Sequence, residues 1–69
     1  MHTIREGLCY RINDQAGTHH NCGDHSTKAD RGKKVRAMYC FEKMNLVQVL
    51  DLKDPQSRFN IKKSCLDSL

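Results

Sequence analysis

The stretch that decides the fold is Val35–Leu52, VRAMYCFEKMNLVQVLDL, the most apolar run in the chain. Its second half, 46–52, is rich in β-branched and aliphatic residues and ends shortly before Pro55, which favours a strand. The first half has the period of two that is typical of a strand with one buried face, so we predict two strands with a break near 42–45. The residues expected on the buried face of the first strand are Val35, Ala37, Tyr39 and Phe41.

A single helix is the alternative for the same run. Phe41, Met44 and Val47 would then project away from its apolar side, so two strands explain more of the apolar residues. The residues that would share one helical face are Val35, Met38, Tyr39, Leu46, Val49 and Leu50.

The N-terminal part of the chain predicts a first strand. Within Thr3–Asn13, apolar and polar residues alternate towards the end of the segment. The turn-forming residues that follow at 13–17 should end this strand. Its apolar positions are Leu8, Tyr10 and Ile12.

The C-terminal part predicts a last strand and a tail. Pro55 marks a turn because its ring fixes φ and biases the preceding residue away from helix. Arg58–Cys65 then alternates, and the charges of Lys62 and Lys63 are typical of an edge strand that avoids association. The final residues, Leu66–Leu69, are expected to form a frayed tail.

A polar loop at 13–34 separates the first strand from the central run, and the chain 1–69 is interpreted as one small domain. The loop has almost no aliphatic side chain to bury. Long loops without structure are uncommon in compact domains, so this one should be functional, held in place by Cys22, or partly strand-like.

The core of so small a domain is expected to need covalent stabilisation, which four cysteines can supply. They contain no C-x-x-C pair and predict two disulfides in a secreted protein, each stabilising the fold by about 3–4 kcal/mol. The residues that follow Met1 contain no apolar secretion signal, and a native start there would favour a reduced, cytosolic protein. Four cysteines permit three pairings. One joins Cys9 to Cys65 and Cys22 to Cys40, and a second joins Cys9 to Cys40 and Cys22 to Cys65. We prefer the first, because it ties the loop to the core.

These features predict a mainly β fold, a small disulfide-stabilised antiparallel β-sandwich or barrel-like domain. Four buried free thiols are the alternative to the two disulfides. No run is long enough for a transmembrane helix, so no membrane span is predicted.

Three histidines, a thiol and a carboxylate lie close together in the polar loop. His19, Cys22 and His25 have a spacing that could hold zinc, with Cys40 as a candidate fourth ligand. Zinc motifs normally contain two separated ligand pairs, so we favour a solvated loop with an oxidised cysteine and predict no cofactor. A hydrolytic site using His19, His20 or His25 is a further alternative, but no catalytic motif supports it and the prediction is a non-enzyme.

The formal charge of the chain is +4, and its pI is about 9.0. Five cations lie in the segment 28–36, where they could contact phosphates or an acidic partner. Aromatic residues are not interleaved with them, which speaks against sequence-specific recognition of single strands. A solvated surface without a partner is the alternative interpretation. The predicted binding residues are Lys28, Arg31, Lys33, Lys34 and Arg36.

The segment Cys9-Tyr10-Arg11-Ile12, followed by Asp14 and Gly17, resembles the opening of the MAX effectors, small secreted β-sandwich proteins of fungal plant pathogens. Tyr39-Cys40-Phe41 and the strand at 46–52 are similar to the later cysteine and core strands of that family. The resemblance implies a six-stranded sandwich, no enzymatic activity, and binding of host proteins through strand edges and variable loops.

The leading functional prediction is a secreted, non-enzymatic binding protein, such as a virulence effector or small toxin. It would bind a host macromolecule, above all a host protein, through the basic patch or an exposed strand edge. The alternative is an intracellular, zinc-stabilised module that binds nucleic acid through the same cations.

Overall fold

In the computed structural model, which describes residues 4–18 and 23–69, the central run forms two antiparallel strands and not a helix. The described chain builds one five-stranded sheet in which every neighbouring pair is antiparallel. The predicted mainly β class is therefore confirmed. The strands are β1 (Cys9–Ile12), β2 (Lys34–Phe41), β3 (Leu46–Asp51), β4 (Arg58–Lys62) and β5 (Leu66–Ser68), in the spatial order β4-β3-β2-β1-β5.

Three short 3-10 turns connect these strands, at Lys28–Asp30, Glu42–Met44 and Lys63–Cys65. The second turn is the predicted break in the central run, and it ends at Asn45 in the left-handed conformation, with φ of 54°. Asparagine tolerates this conformation better than most residues with a side chain, so it suits the position. Within the described ranges, no helix has the length and apolar character needed to cross a membrane.

A β-bulge in β2 changes which side chains are buried. Ala37 pairs with Val49, but the next pair is Tyr39 with Gln48, so Met38 is an extra residue opposite β3. Side chains beyond the bulge therefore point to the opposite face from the one predicted. Val35 and Ala37 are fully buried, whereas Tyr39 is 53% exposed.

The prediction that Tyr39 and Phe41 share the buried face is consequently wrong. Phe41 is half-buried and packs edge-to-face against Tyr39, with ring centroids 4.7 Å apart. In their place the half-buried Cys40 packs against the core. The two aromatic rings are thus presented on the outer face of the sheet.

The C-terminal residues form a strand and not a frayed tail. β5 pairs with β1, and its Leu66 lies opposite Ile12 with no exposed surface. The Asn13 N–H also donates to the Cys65 carbonyl over 2.8 Å, which fixes the 3-10 turn that precedes β5. The predicted last strand is correspondingly shorter, since β4 ends at Lys62.

The core lies on one face of this sheet. It is built from side chains of all five strands and of the 3-10 turn that precedes β5. In β1 the buried positions are Tyr10 and Ile12, while Leu8 lies before the strand and is half exposed. The Tyr10 hydroxyl accepts a hydrogen bond from the Arg5 N–H, so its polar group has a partner. The side chains without exposed surface are Ala16, Val35, Ala37, Val47, Val49, Ile61, Cys65 and Leu66.

Candidate binding face and anchored loop

The polar loop is held against the sheet by Asp24. This carboxylate is only 7% exposed, and it accepts hydrogen bonds from the Lys62 N–H at 2.9 Å and the Ser26 N–H at 2.7 Å. The Cys65 thiol donates to the same carboxylate over 3.7 Å. Asp24 therefore joins the loop, the end of β4 and the last 3-10 turn.

The loop also covers part of the outer edge of β4. The His25 N–H donates to the Asn60 carbonyl over 2.8 Å, next to the bond between Lys62 and Asp24. Two of the β4 backbone groups that could recruit a strand from another chain, the Asn60 carbonyl and the Lys62 N–H, are therefore already bonded. The prediction of binding through an exposed edge finds little support at β4, and β5, at the other edge, is only three residues long.

The hydrogen bonds around Asp24 also change its acidity. Burial raises the pKa of a carboxyl group, but here hydrogen bonds from the Ser26 hydroxyl and from the Lys62 and Ser26 N–H groups outweigh it. The net effect holds the pKa of Asp24 below its ordinary value of 3.8. The ionised carboxylate is therefore the form that stabilises the loop at neutral pH.

A second anchor lies at the start of the loop. Ala16 is fully buried, and its carbonyl accepts a hydrogen bond from Arg31 Nε at 3.1 Å. Gly17 donates to Ser26 Oγ and has φ of +85°, and a Cβ there would lie 2.8 Å from the Lys28 nitrogen. The loop thus has anchors other than Cys22, which lies outside the described residues.

The structure shows no bridge among Cys9, Cys40 and Cys65, and the predicted Cys22–Cys40 and Cys22–Cys65 bridges involve a residue outside the described ranges. Cys9, Cys40 and Cys65 are free thiols in the structure. Cys9 is the first residue of β1 and precedes the core residues Tyr10 and Ile12. It lies on the outer face of the sheet, opposite Arg36, whereas Cys40 and Cys65 pack in the core. The predicted Cys9–Cys65 and Cys9–Cys40 disulfides are not formed, because Cys9 lies on the outer face of the sheet while Cys40 and Cys65 pack in the core.

Both core thiols are held in the protonated form. Burial, together with the nearby Asp24 carboxylate, raises the pKa of Cys65 from 9.0 to about 11. Burial, followed by the charge of Glu6, also raises the pKa of Cys40. Because the thiolate is the form that attacks substrates and binds metals, neither thiol is activated for those roles at neutral pH.

The raised pKa of Cys65 predicts a loss of stability in alkali. A folded-state pKa above the unfolded value stabilises the fold fully below pH 9 and loses that contribution as pH rises through about 11. We expect wild-type protein in reductant to lose about 2–3 kcal/mol of unfolding free energy between these pH values through this group. Urea unfolding at pH 8, 9, 10 and 11 measures it.

The control for this alkaline titration is Cys65→Ser. Its hydroxyl can still donate to Asp24 but does not titrate in this range. All other side chains are the same in the two proteins, so their contributions cancel in the comparison. Parallel stability curves for wild type and variant would contradict the prediction.

The predicted histidine site is only partly within the described chain. His19, His20 and Cys22 lie outside it, while His25 is exposed and bonded to β4 through its backbone. In residues 4–18 and 23–69, no cluster of three or more His, Cys, Asp or Glu side chains could hold a metal ion. The zinc and hydrolytic interpretations therefore stay predictions.

The five predicted binding cations are separated by the fold. Lys33 bonds to Asp30 at 2.9 Å and approaches Asp51 at 3.8 Å, so its charge is largely neutralised. The hydrogen bond with Asp30 raises the pKa of Lys33 above its ordinary value. Arg31 is tied to the Ala16 carbonyl, and Lys28 lies on the first 3-10 turn.

A shallow cleft of about 380 Å³ brings some of these cations together at one end of the sheet. The Lys33–Asp51 ion pair belongs to its lining, and Asp51 is buried. The cleft therefore mixes positive charge with a buried acid. Its lining residues are Arg31, Gly32, Lys33, Lys34, Asp51 and Lys53.

The remaining two predicted cations, Lys34 and Arg36, lie on the outer face of β2, away from the core. Strand pairing places Arg11 of β1 directly opposite Lys34, and it links Arg36 through Leu50 to Arg58 of β4. All four cations are exposed. We call this surface the basic sheet face, defined by Arg11, Lys34, Arg36 and Arg58.

The basic sheet face carries little opposing charge. None of its four cations forms an ion pair within the part of the chain that the structure describes. The acid beside it is Asp67, which lies opposite Arg11 on β5 and accepts a hydrogen bond from the Asn13 amide at 3.0 Å. The face therefore presents a net positive charge to solvent.

Sequence reasoning missed Arg11 and Arg58 because neither lies in the run of cations. Both could have been found from the alternation of buried and exposed positions along their strands. Arg11 stands between the buried Tyr10 and Ile12, and Arg58 precedes the alternating Phe59 and Ile61. Collecting the outward positions of every predicted strand would have listed both.

Comparison with known proteins yields no match to a family model, to a curated protein or to a solved structure. The resemblance to the MAX effectors therefore stays a prediction.

Proposed function

We propose that the protein is a non-enzymatic binding module that recognises an anionic macromolecule through the basic sheet face. The observation that carries the proposal is the convergence of Arg11, Lys34, Arg36 and Arg58 on one exposed surface without ion-pair partners among the described residues. Unpaired cations on a rigid sheet are preorganised for an anion, because their backbones are already fixed by strand pairing.

The spacing of the cations suits an extended polyanion. Directly paired residues on neighbouring strands have Cβ atoms about 5 Å apart, and positions two apart along a strand are about 7 Å apart. Lys34 and Arg36 have the second spacing, and Arg11 and Lys34 have the first. A chain of negative charges crossing the strands would meet several cations at once, which favours a polymer over a single small anion.

The barrel-like form predicted from the sequence is retained within this proposal. β2 is long and carries the bulge at Met38, which allows a sheet to bend, and the bonds from Asp24 and His25 cover the edge of β4. In that form the sheet would bend at the bulge and enclose the core, and the basic sheet face would stay outside. A sandwich is the other form that the sequence predicts.

The roles of secreted effector or small toxin stay predictions, as does the host-protein partner. The free thiols give the extracellular interpretation no support. Between the two predicted kinds of partner, the charge of the basic sheet face fits a polyanion, and strand addition at β4 is hindered by the bonds to the loop.

The test of the proposed function uses heparin, a polyanion without bases, labelled for fluorescence anisotropy. We expect wild-type binding to weaken linearly on a plot of log affinity against log salt. Arg36→Gln and Arg58→Gln should each lower the slope by about 1, because each removes one ionic contact. The measurement is a salt titration with each variant.

The matched control is Lys43→Gln, which removes the same charge from the exposed 3-10 turn between β2 and β3. It should leave the slope unchanged. Equal effects of all three variants would show that only net charge matters and would overturn the assignment to the basic sheet face. Undetectable binding of wild type at low salt would overturn the proposed function itself.

A further inference from the structure

We infer that the polymer bound by the basic sheet face is a single-stranded nucleic acid, with a base stacked on Tyr39. This inference rests on the proposed function and specifies its partner. The structure contributes an observation that the linear sequence hides, since the bulge turns the Tyr39 ring out of the core and onto the face that carries the arginines.

The position of Tyr39 relative to the cations follows from the strand register. Tyr39 pairs with Gln48 of β3, and Leu50, two residues further along the same strand, pairs with both Arg36 and Arg58. The row that contains the ring is therefore about 7 Å from the row that contains the arginines. A nucleotide that stacks on the ring can place its neighbouring phosphates on the cations.

The exposure and packing of the ring suit a stacking platform. Tyr39 is 53% exposed, and its edge-to-face contact with Phe41, at an interplanar angle of 69°, holds the ring without covering it completely. A large, exposed aromatic residue that packs on one side and is accessible on the other is a common partner of unpaired bases. Burial in the core is excluded for this residue by the bulge.

Two amide side chains lie beside Tyr39 in the same row of paired residues across the sheet. Gln48 of β3 lies opposite Tyr39, and Asn60 of β4 lies opposite Gln48, so both point to the outer face and both are half-buried. Amide groups donate and accept hydrogen bonds and can read the edges of a base that is stacked beside them. Arginines, an aromatic ring and amides are thus ordered across three adjacent strands.

The same features separate a single strand from other polyanions. In a duplex the faces of the bases are already stacked on each other, so Tyr39 would have no partner there. An acidic protein would satisfy the arginines but would gain no stacking from the ring. The juxtaposition of Tyr39 with Arg36 and Arg58 therefore favours an unpaired nucleic acid strand over both.

The test compares two fluorescein-labelled strands of equal length and charge, a 12-mer of deoxythymidine and an abasic 12-mer, by fluorescence anisotropy. We expect the strand with bases to bind wild type about tenfold more tightly or better, because each stacked base adds affinity. Tyr39→Ala should remove that preference while binding of the abasic strand stays unchanged. Tyr39→Phe, which keeps the ring, should retain it.

The outcomes distinguish the two levels of the proposal. If both strands bind wild type equally and Tyr39→Ala has no effect, the inference is wrong while the polyanion-binding function stands. If neither strand binds, and heparin does not bind either, the proposed function fails with it. Tighter binding of a 12-residue poly-glutamate peptide or of a duplex with the same number of charges overturns the single-strand assignment in favour of that partner.

Discussion

Replacing Asp24 by asparagine is expected to destabilise the protein by about 2–4 kcal/mol at pH 7, as measured by urea unfolding. The wild-type carboxylate accepts the N–H groups of Lys62 and Ser26 in a site that is almost closed to solvent. An asparagine of the same size has one acceptor oxygen, and its NH₂ group would face a donor. At least one buried N–H would then lose its partner without any change in packing volume.

The same substitution should flatten the acid limb of the stability curve. The pKa of Asp24 is lower in the folded protein than its ordinary value of 3.8, so the unfolded chain binds the proton first as pH falls. The stability that Asp24 contributes is complete above pH 3.8 and is lost as pH falls through the lower folded value. Asp30 adds to the same limb. Burial raises its pKa, but its bonds with Lys33 and Thr27 outweigh burial and lower the pKa below the ordinary value.

The control for Asp24→Asn is Asp14→Asn, which makes the same chemical change at an exposed position. It should alter the unfolding free energy by no more than about 0.5 kcal/mol. Equal stabilities of Asp24→Asn and wild type at pH 7 would show that the loop does not depend on this carboxylate and that another group holds it to β4.

The role of Asp24 in anchoring the loop could not be predicted from the sequence. The composition of 13–34 predicted a polar connection with little to bury, and it suggested Cys22 as the anchor. Among the described residues the loop is held by Asp24, whose partner Lys62 is 38 residues away in the chain. A carboxylate in a polar loop looks the same in sequence whether it is solvated or buried, because its partners are backbone groups that every residue has.

The strands, too, could be predicted from the sequence only in part. Composition identified β3, and alternation identified β1, β2 and β4, because each contributes at least two apolar residues to one face. It failed at Met38, since an extra residue in a bulge does not interrupt an apolar run, and it failed at β5, whose three residues are too few to show a period. β5 exists because β1 offers it a free edge, which only the three-dimensional arrangement reveals.

The candidate site was predictable only in part for the same reason. Lys34 and Arg36 could be found from the local cluster of charge, and both lie on the basic sheet face. Arg11 and Arg58 join them through pairing across β1, β2, β3 and β4. The bulge then adds Tyr39, so the aromatic residue that the charged segment lacks in sequence is supplied by the neighbouring part of the same strand.

Replacing Ile61 by alanine is expected to cost about 2–5 kcal/mol of unfolding free energy, whereas replacing Tyr39 by alanine should cost less than about 1 kcal/mol. Ile61 has no exposed surface and lies opposite the equally buried Val47, so its loss leaves a cavity in the core. Tyr39 is half exposed, and its ring packs edge-to-face against Phe41 outside the core. Urea midpoints of the two variants measure the difference.

This pair of variants decides the register of β2 and, through it, the meaning of the binding test. A cost for Tyr39→Ala that equals or exceeds that of Ile61→Ala would place the ring in the core and remove the bulge from the fold. A small cost means that Tyr39→Ala protein is as folded as wild type under the conditions of the anisotropy measurement. Any loss of preference for the strand with bases can then be assigned to the missing ring, because the strands that hold Arg36 and Arg58 in position are unchanged.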